Sequence, residues 1–346
     1  MRKIILNISF LLIIIGSFTA CDAFKTLSKS DTQSAQGRPY ELVLVCNHDL
    51  WNSALGDSLR SVLAAPIPYL DHREPHFDVL RINEEGLTGF IACHRNILNI
   101  LADTTLHESK MFVQYDQTAQ PQVIVNFQGH DFLSMTQYLS EHRSELVQIF
   151  EMAERDRNLD YNQKFNAPKV EADLKTLFDM DMKVPLGYFT AKKGADFLWA
   201  RNEYPSSSQG FMVYSYPYTG KECLSLDSLI AARNRFAQQI PGPSEGSYMT
   251  TTTQIYLEDG YHPMRPSYRT FRMDDRLWCE LRGFWDVEGD YMGGPFVSYT
   301  TIDKRHNRVV TLDCYVYSPK QPKRNLMHGV EHLFYQIDFP KPNIDR

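Results

Sequence analysis

The chain opens on two cations followed by an apolar run. Arg2 and Lys3 precede Ile4–Ile15, in which only Asn7 and Ser9 are polar. This run is shorter than the about 20 apolar residues a membrane-spanning helix needs. It leads into Gly16-Ser17-Phe18-Thr19-Ala20-Cys21. A positive start, a short apolar core and small residues before a cleavage point make a secretory leader, which assigns residues 1–20 to a removed signal peptide. Residues 25–37 are small and polar with no apolar period, so residues 21–38 read as a flexible tether, a coil of roughly 20–25 Å r.m.s. span.

Beyond it the pattern alternates between strand and helix. Tyr40–Cys46 is a continuous apolar strand. Trp51, Leu55, Leu59 and Val62 recur at helical spacing, with Asn47 or Asp49 placed to cap the helix. Strands are predicted at Phe77–Ile82, Asn96–Leu101, Lys110–Tyr115 and Gln122–Phe127. One long helix from Asp131 carries the stripe Phe132, Met135, Leu139, His142, Leu146, Ile149 and Ala153. The polar stretch Asn158–Ala167 before Pro168 marks a joint. After it come a helix at Lys169–Met180, a hairpin of Val184–Thr190 with Asp196–Arg201, and a strand at Phe211–Tyr218. A helix at Ser225–Ile240 precedes strands at Tyr248–Leu257, Ser267–Met273, Leu277–Val287, Phe296–Ile302 and Arg308–Tyr317. A helix at Lys323–Tyr335 closes the chain. The two halves share this order. They are read as two α+β units, residues 39–165 and 166–346, each an antiparallel sheet with helices on one face, as a diverged duplication would produce.

Composition narrows the function classes. The formal charge of −6 becomes −8 once Arg2 and Lys3 leave with the leader, and there is no basic tract. Nucleic acid is therefore not an expected partner. Besides Cys21 there are Cys46, Cys93, Cys223, Cys279 and Cys314, with no Cys-x-x-Cys unit. They read as small apolar residues, with a Cys279–Cys314 bridge as the one pairing worth testing. No cofactor is assigned.

Four segments hold candidate chemistry. His328-Gly-Val-Glu331-His332 places two imidazoles one helical turn apart with a carboxylate beside them. That is the spacing of a zinc-binding helix with a general base, but a third protein ligand is needed and Asp338 is the one nearby carboxylate. This motif carries the alternative reading of a metal-dependent hydrolase. Against it, Leu326, Val330, Leu333 and Ile337 already make a packing stripe. Gly242-Pro-Ser244-Glu-Gly246 matches a nucleophile-elbow pattern, but a helix precedes it and a strand follows, the reverse of the order that exposes the serine. Asp286-Val-Glu288-Gly-Asp290 spaces carboxylates by two but departs from a calcium loop at Tyr291 and Val297. Asp71-His-Arg-Glu-Pro-His76 reads as a solvated loop. Trp199, Tyr214, Tyr216, Tyr218 and Trp285 would suit an aromatic platform for a sugar, although cross-strand packing is the commoner use of such residues.

Phe18-Thr19-Ala20-Cys21 resembles a bacterial lipobox, with Phe18 in place of the usual leucine. The resemblance implies acylation of Cys21, and several acyl chains at about 0.8 kcal/mol per buried methylene anchor firmly. The remaining chain, through Trp51-Asn-Ser-Ala-Leu-Gly-Asp57, Glu74-Pro-His-Phe77, His94-Arg-Asn96, Thr250–Thr253, Gly283-Phe-Trp-Asp-Val-Glu-Gly289 and Gly293-Gly-Pro-Phe296, resembles a Bacteroidetes lipoprotein family known as domain of unknown function 4837 over nearly its full length. The resemblance implies a Gram-negative envelope protein, with the outer membrane the expected site, and supplies no activity. The leading expectation is a non-catalytic binding or scaffolding protein. Its partners are the bilayer, through Cys21, and an envelope protein or a glycan.

Overall fold

Residues 33–257 and 260–340 are described by a computed structural model. The leader, Cys21 and most of the expected tether lie outside the described residues. The chain divides into two units, one of residues 1–64 and 77–150, the other of residues 65–76 and 151–346. The division falls inside a helix rather than at 165/166, and the loop 65–76 belongs with the second unit.

In the first unit, β1 (Glu41–Val45), β2 (Asp78–Ile82), β3 (Asn96–Ala102), β4 (Lys110–Tyr115) and β5 (Val123–Gly129) form one sheet in the order β2-β1-β3-β5-β4. Three of its pairings are parallel and only β4–β5 is antiparallel. This corrects the expected antiparallel sheet. The segment between β1 and β2 contains α1 (Ala54–Leu63), and such a helical crossover returns the chain parallel to its start. Asn47 caps a short helix at His48–Trp51, and Ser53 caps α1 after a break at Asn52. The expected long helix is also two, α2 (Phe132–Glu141) and α3 (Arg143–Lys164), with Asp131 capping the first. Leu55, Leu59 and Leu63 of α1 and Met135 and Leu139 of α2 are buried. The tether ends sooner than residue 38: Gln33 and Ser34 pair with Ala119 and Gln120, and Gln36 exchanges backbone hydrogen bonds with Cys93 and Arg95.

The second unit is built on an antiparallel sheet, as expected. Its strands are β6 (Phe189–Lys193), β7 (Phe197–Tyr204), β8 (Ser207–Pro217), β9 (Tyr248–Thr251), β10 (Ser267–Met273), β11 (Arg276–Glu288), β12 (Gly293–Asp303) and β13 (Arg308–Tyr317). The order is β9-β11-β12-β13-β8-β7-β6, with β10 sharing the outer edge of β11 with β9. Helices cover both faces, not one. Val170, Leu174 and Phe178 of α4 (Pro168–Phe178) and Met327 and Val330 of α6 (Arg324–Glu331) pack on Leu198, Val213, Val297 and Leu312. Leu229, Ala232 and Phe236 of α5 (Leu226–Ala237) pack on Phe197, Met212, Tyr214 and Leu281. The cause is visible in β8 and β13, whose interiors are buried residue after residue; strands wet on one face alternate instead. The two sheets differ in direction and order, so the units are not copies of one another. All five described cysteines are free. Cys279 and Cys314 lie in the cores of opposite sheet faces, which excludes the bridge between them.

The loop 65–76 is a clamp, not a solvated connection. Ile67 N–H donates to the Glu74 carbonyl at 2.9 Å. The Glu74 carboxylate accepts the backbone N–H groups of Lys323 at 2.7 Å and Arg324 at 2.9 Å. It thereby satisfies two donors at the start of α6 and sits at the positive end of the helix dipole. Asp71 lies 2.8 Å from Lys323 Nζ, and Arg324 Nη1 donates to the Pro75 carbonyl at 2.9 Å.

Candidate functional site

His328 on α6 and His332, which caps the helix C-terminus, do lie one turn apart, with ring centroids 6.0 Å from each other. The carboxylate beside them is engaged elsewhere. Glu331 accepts from both terminal nitrogens of Arg282 and from the Tyr299 hydroxyl. Arg282 is itself shared, its Nε donating to Glu280 at 2.8 Å, and Arg269 Nε donates to the same oxygen at 2.9 Å. Burial alone would raise the Glu331 carboxyl. The Arg282 charge and hydrogen bonds overcome it and hold the group at about 2. Burial, with the neighbouring His328, pushes His332 down to about 3, and burial likewise lowers His328. Asp338, the one carboxylate close by in sequence, is exposed, and its backbone pairs with Asp181. Among the described residues no three His, Cys, Asp or Glu side chains gather where they would hold a metal. The sequence spacing is real, but the tertiary structure commits Glu331 to a buried ion-pair network with Arg282 and buries His328 and His332 as imidazoles that resist protonation.

The other motifs also acquire structural roles. Ser244 is exposed in its loop and donates to Asp290, so the serine motif and the acidic turn fasten each other. Tyr214 and Tyr216 stack on Phe236 of α5, with centroids 4.5 and 6.5 Å away, and form core rather than platform.

Trp199 and Trp285 belong to the same buried core but also edge a cavity. Both line one cavity of about 520 Å³ on the α5 face of the sheet, together with Tyr315 and Tyr317. Pairing builds this wall. Trp199 comes from β7, Trp285 from β11, and Tyr315 and Tyr317 from β13, which β8 and β12 separate from the other two strands. Glycines make the room. A Cβ at Gly210 would lie 2.3 Å from the Tyr315 ring, and one at Gly294 2.2 Å from the Val316 carbonyl oxygen. The indole groups are locked: Trp199 Nε1 donates to the Tyr315 hydroxyl at 2.7 Å and Trp285 Nε1 to the Val316 carbonyl at 3.3 Å. Trp285 meets Tyr315 edge-on at 5.5 Å.

Polar groups complete the lining. Arg201 lies 4.9 Å from the centre of the Trp199 ring and 3.1 Å from Glu203, whose carboxylate also accepts from Ser208. Ser206, Ser207 and Lys320 add hydroxyls and a cation. Sequence reading had the two tryptophans but missed Arg201, Glu203, Tyr315 and Tyr317. The alternation Trp199-x-Arg201-x-Glu203 and Tyr315-x-Tyr317 puts each set on one sheet face, a signal present in the sequence. That the two sets meet in one cavity depends on strand order.

The same face of the sheet carries a buried ion pair that sequence reading also passed over. Arg233 of α5 donates from Nε to Asp313 of β13 at 2.8 Å and from Nη1 to Thr251 at 2.9 Å. Ser298 donates to the same carboxylate, and the Arg233 guanidinium lies 3.7 Å from the Phe296 ring centre. Burial raises the Asp313 carboxyl, with Arg233 opposing it.

Fold and site thus define a two-unit α+β protein with an aromatic-walled cavity in its antiparallel unit. Residues 167–336 match the family model Domain of unknown function (DUF4837), the family that the sequence resembles. The match stops short of the full length: residues 35–162 match a second family, Domain of unknown function (DUF8532). No curated protein matches the sequence. Solved structures offer slight likenesses. The Ran-binding protein Mog1p of Saccharomyces cerevisiae has a TM-score of 0.29 at 6% identity, over 47% of this chain and 92% of its own. A protein of Bacteroides thetaiotaomicron scores 0.20 at 10% identity, over 47% of this chain and 45% of its own. Human StAR-related lipid transfer protein 5 scores 0.23 at 8% identity, over 53% and 95%. Scores this low carry no argument about function.

Proposed function

We propose that this chain is a non-catalytic lipoprotein of the cell envelope, anchored through acylated Cys21, whose C-terminal unit binds a glycan in the aromatic cavity. The observation behind the binding role is the convergence of Trp199, Trp285, Tyr315 and Tyr317 on one cavity with Arg201, Glu203, three serines and Lys320. A volume of about 520 Å³ is that of a small-molecule site. A sugar presents apolar C–H faces to aromatic rings and hydroxyls to charged and hydroxyl side chains, and both kinds of surface line this cavity. The hydrolase alternative gains nothing, because Glu331 is committed to Arg282 and Tyr299.

A glycan array probed with the mature chain tests the reading. Binding is expected for the wild type and is lost in Trp199→Ala and Trp285→Ala. Arg201→Ala, a change at a partly exposed position, should weaken binding while leaving the circular dichroism spectrum intact. A wild-type protein that captures no glycan sinks the glycan assignment.

A further inference from the structure

Two donors of the aromatic cavity are held on one indole. Gly210 pairs with Arg201 on one side and with Tyr315 on the other. These two residues therefore share one row of the sheet face, with no side chain between them. The gap spans two strand spacings, roughly 9.5 Å. The Tyr315 ring leans into it: a Cβ at Gly210 would lie 2.3 Å from its hydroxyl oxygen. Trp199 then fastens both groups. Its Nε1 donates to that hydroxyl at 2.7 Å, and the Arg201 guanidinium lies 4.9 Å from the centre of its ring.

Both groups have hydrogens to spare. Tyr315 is buried, and its hydroxyl accepts from Trp199 but donates to no group among the described residues. Burial pushes this hydroxyl upward, against the Trp199 hydrogen bond and the Arg201 charge, so it keeps its proton. Arg201 meets Glu203 at 3.1 Å, and the other hydrogens of its guanidinium have no partner among the described residues. The cavity's carboxylate, Glu203, is already taken by Arg201 and Ser208. Its charge balances that of Arg201, so the two donors call for a neutral acceptor rather than an anion. Lys320, the other cation of the lining, is exposed. Ile240, Met249, Val287 and Met292 add apolar surface to the same cavity.

We infer that Arg201 and Tyr315 select a sugar that carries an acetamido group, whose carbonyl oxygen accepts from the guanidinium and the hydroxyl and whose methyl group is covered by the apolar lining. The inference rests on the glycan-binding reading of the aromatic cavity and adds the substituent that is recognised. A site built to donate discriminates against a group that cannot accept, because its buried donors are then left unpaired. A hydroxyl in place of the acetamido group brings no methyl group. An ammonium accepts nothing and faces the Arg201 charge.

Calorimetric titration of the full mature chain in detergent with di-N-acetylchitobiose, cellobiose and the glucosamine dimer tests this. The three differ only in the substituent on the second carbon of each ring, which is an acetamido, a hydroxyl or an ammonium group. Di-N-acetylchitobiose should bind about tenfold more tightly than cellobiose, the scale of one hydrogen bond and one buried methyl group. The glucosamine dimer should bind more weakly than either. Arg201→Lys keeps the charge but loses the guanidinium, and Tyr315→Phe loses the hydroxyl proton. Each should shrink the ratio between the acetamido and the hydroxyl sugar. A merely loosened wall weakens both sugars alike and leaves that ratio unchanged. Equal affinity for the two, preference for the glucosamine dimer, or a ratio unchanged in both variants overturns the inference and leaves glycan binding standing. Binding of none of the three also overturns it, and a wild type that captures no glycan on the array removes the inference and the glycan reading together.

Discussion

Arg233 and Asp313 are both fully buried, and each is the other's principal partner. Removing one leaves an uncompensated charge in the core, which costs about 3–5 kcal/mol, whereas replacing both by apolar residues of similar size can be neutral. Asp313→Asn should therefore lower the denaturant midpoint sharply, and Arg233→Met with Asp313→Leu should recover most of it. Equal losses in the single and double variants would contradict this. The imidazoles of α6 make a second prediction. His332 stands at about 3 in the folded chain, and an exposed histidine titrates near 6.5. Below pH 6.5 the unfolded state takes up a proton that the folded state refuses, so stability falls with pH. The slope is about 1.4 kcal/mol per pH unit for each such group. The affected window runs from 6.5 downward. The same sign applies to Glu331, held at about 2, but its contribution is lost lower, as pH falls from the ordinary carboxylate value of about 4.3 toward 2. His332→Leu should flatten the decline in unfolding midpoint between pH 6.5 and 5; an unchanged slope would assign it elsewhere. The neighbours of these rings, Glu331, Glu151, Arg155, Arg282 and Arg324, are charged groups from several segments, and no local motif records such an environment.

Strands were the most legible elements. Ser267–Met273 and Arg308–Tyr317 occur with their expected ends, because β-branched and aromatic runs bounded by turn residues leave little ambiguity. Helix ends were harder. The polar run from Asn158 reads as a joint, yet α3 continues to Lys164. There Asn162 is buried and hydrogen-bonded toward Asn158 and Gln336, and Gln336 donates to the Leu159 carbonyl. Polar residues held by a distant glutamine do not break a helix, and a local window cannot see that partner. The loop 71–76 was misjudged for the same reason: its acids serve α6, about 250 positions away along the chain. Glu74→Ala should destabilise the second unit by about 1–2 kcal/mol, as losing a helix cap does. It should also raise hydrogen exchange in the first turn of α6 relative to β13; unchanged exchange would show that the clamp is dispensable.

At the scale of the whole molecule, the leader and Cys21 set an expectation of address. Cys21→Ser should abolish incorporation of labelled fatty acid and move the protein from the membrane to the soluble fraction; retention of both label and membrane association would end the lipoprotein proposal. What the sequence by itself determined is what short-range pattern encodes: the mixed α+β content, nearly every strand, the start of a helix at Asp131, and the resemblance to the DUF4837 family, whose model residues 167–336 match. Strand direction, the covering of both sheet faces, the diversion of Glu331 to Arg282 and the gathering of Trp199, Trp285 and Tyr315 were decided only by tertiary structure. The physical reason is common to all four. Periodicity tells which face of an element is apolar, but not which other element will cover it. A carboxylate pairs with whatever cation the fold brings within reach, not with the residues beside it in sequence.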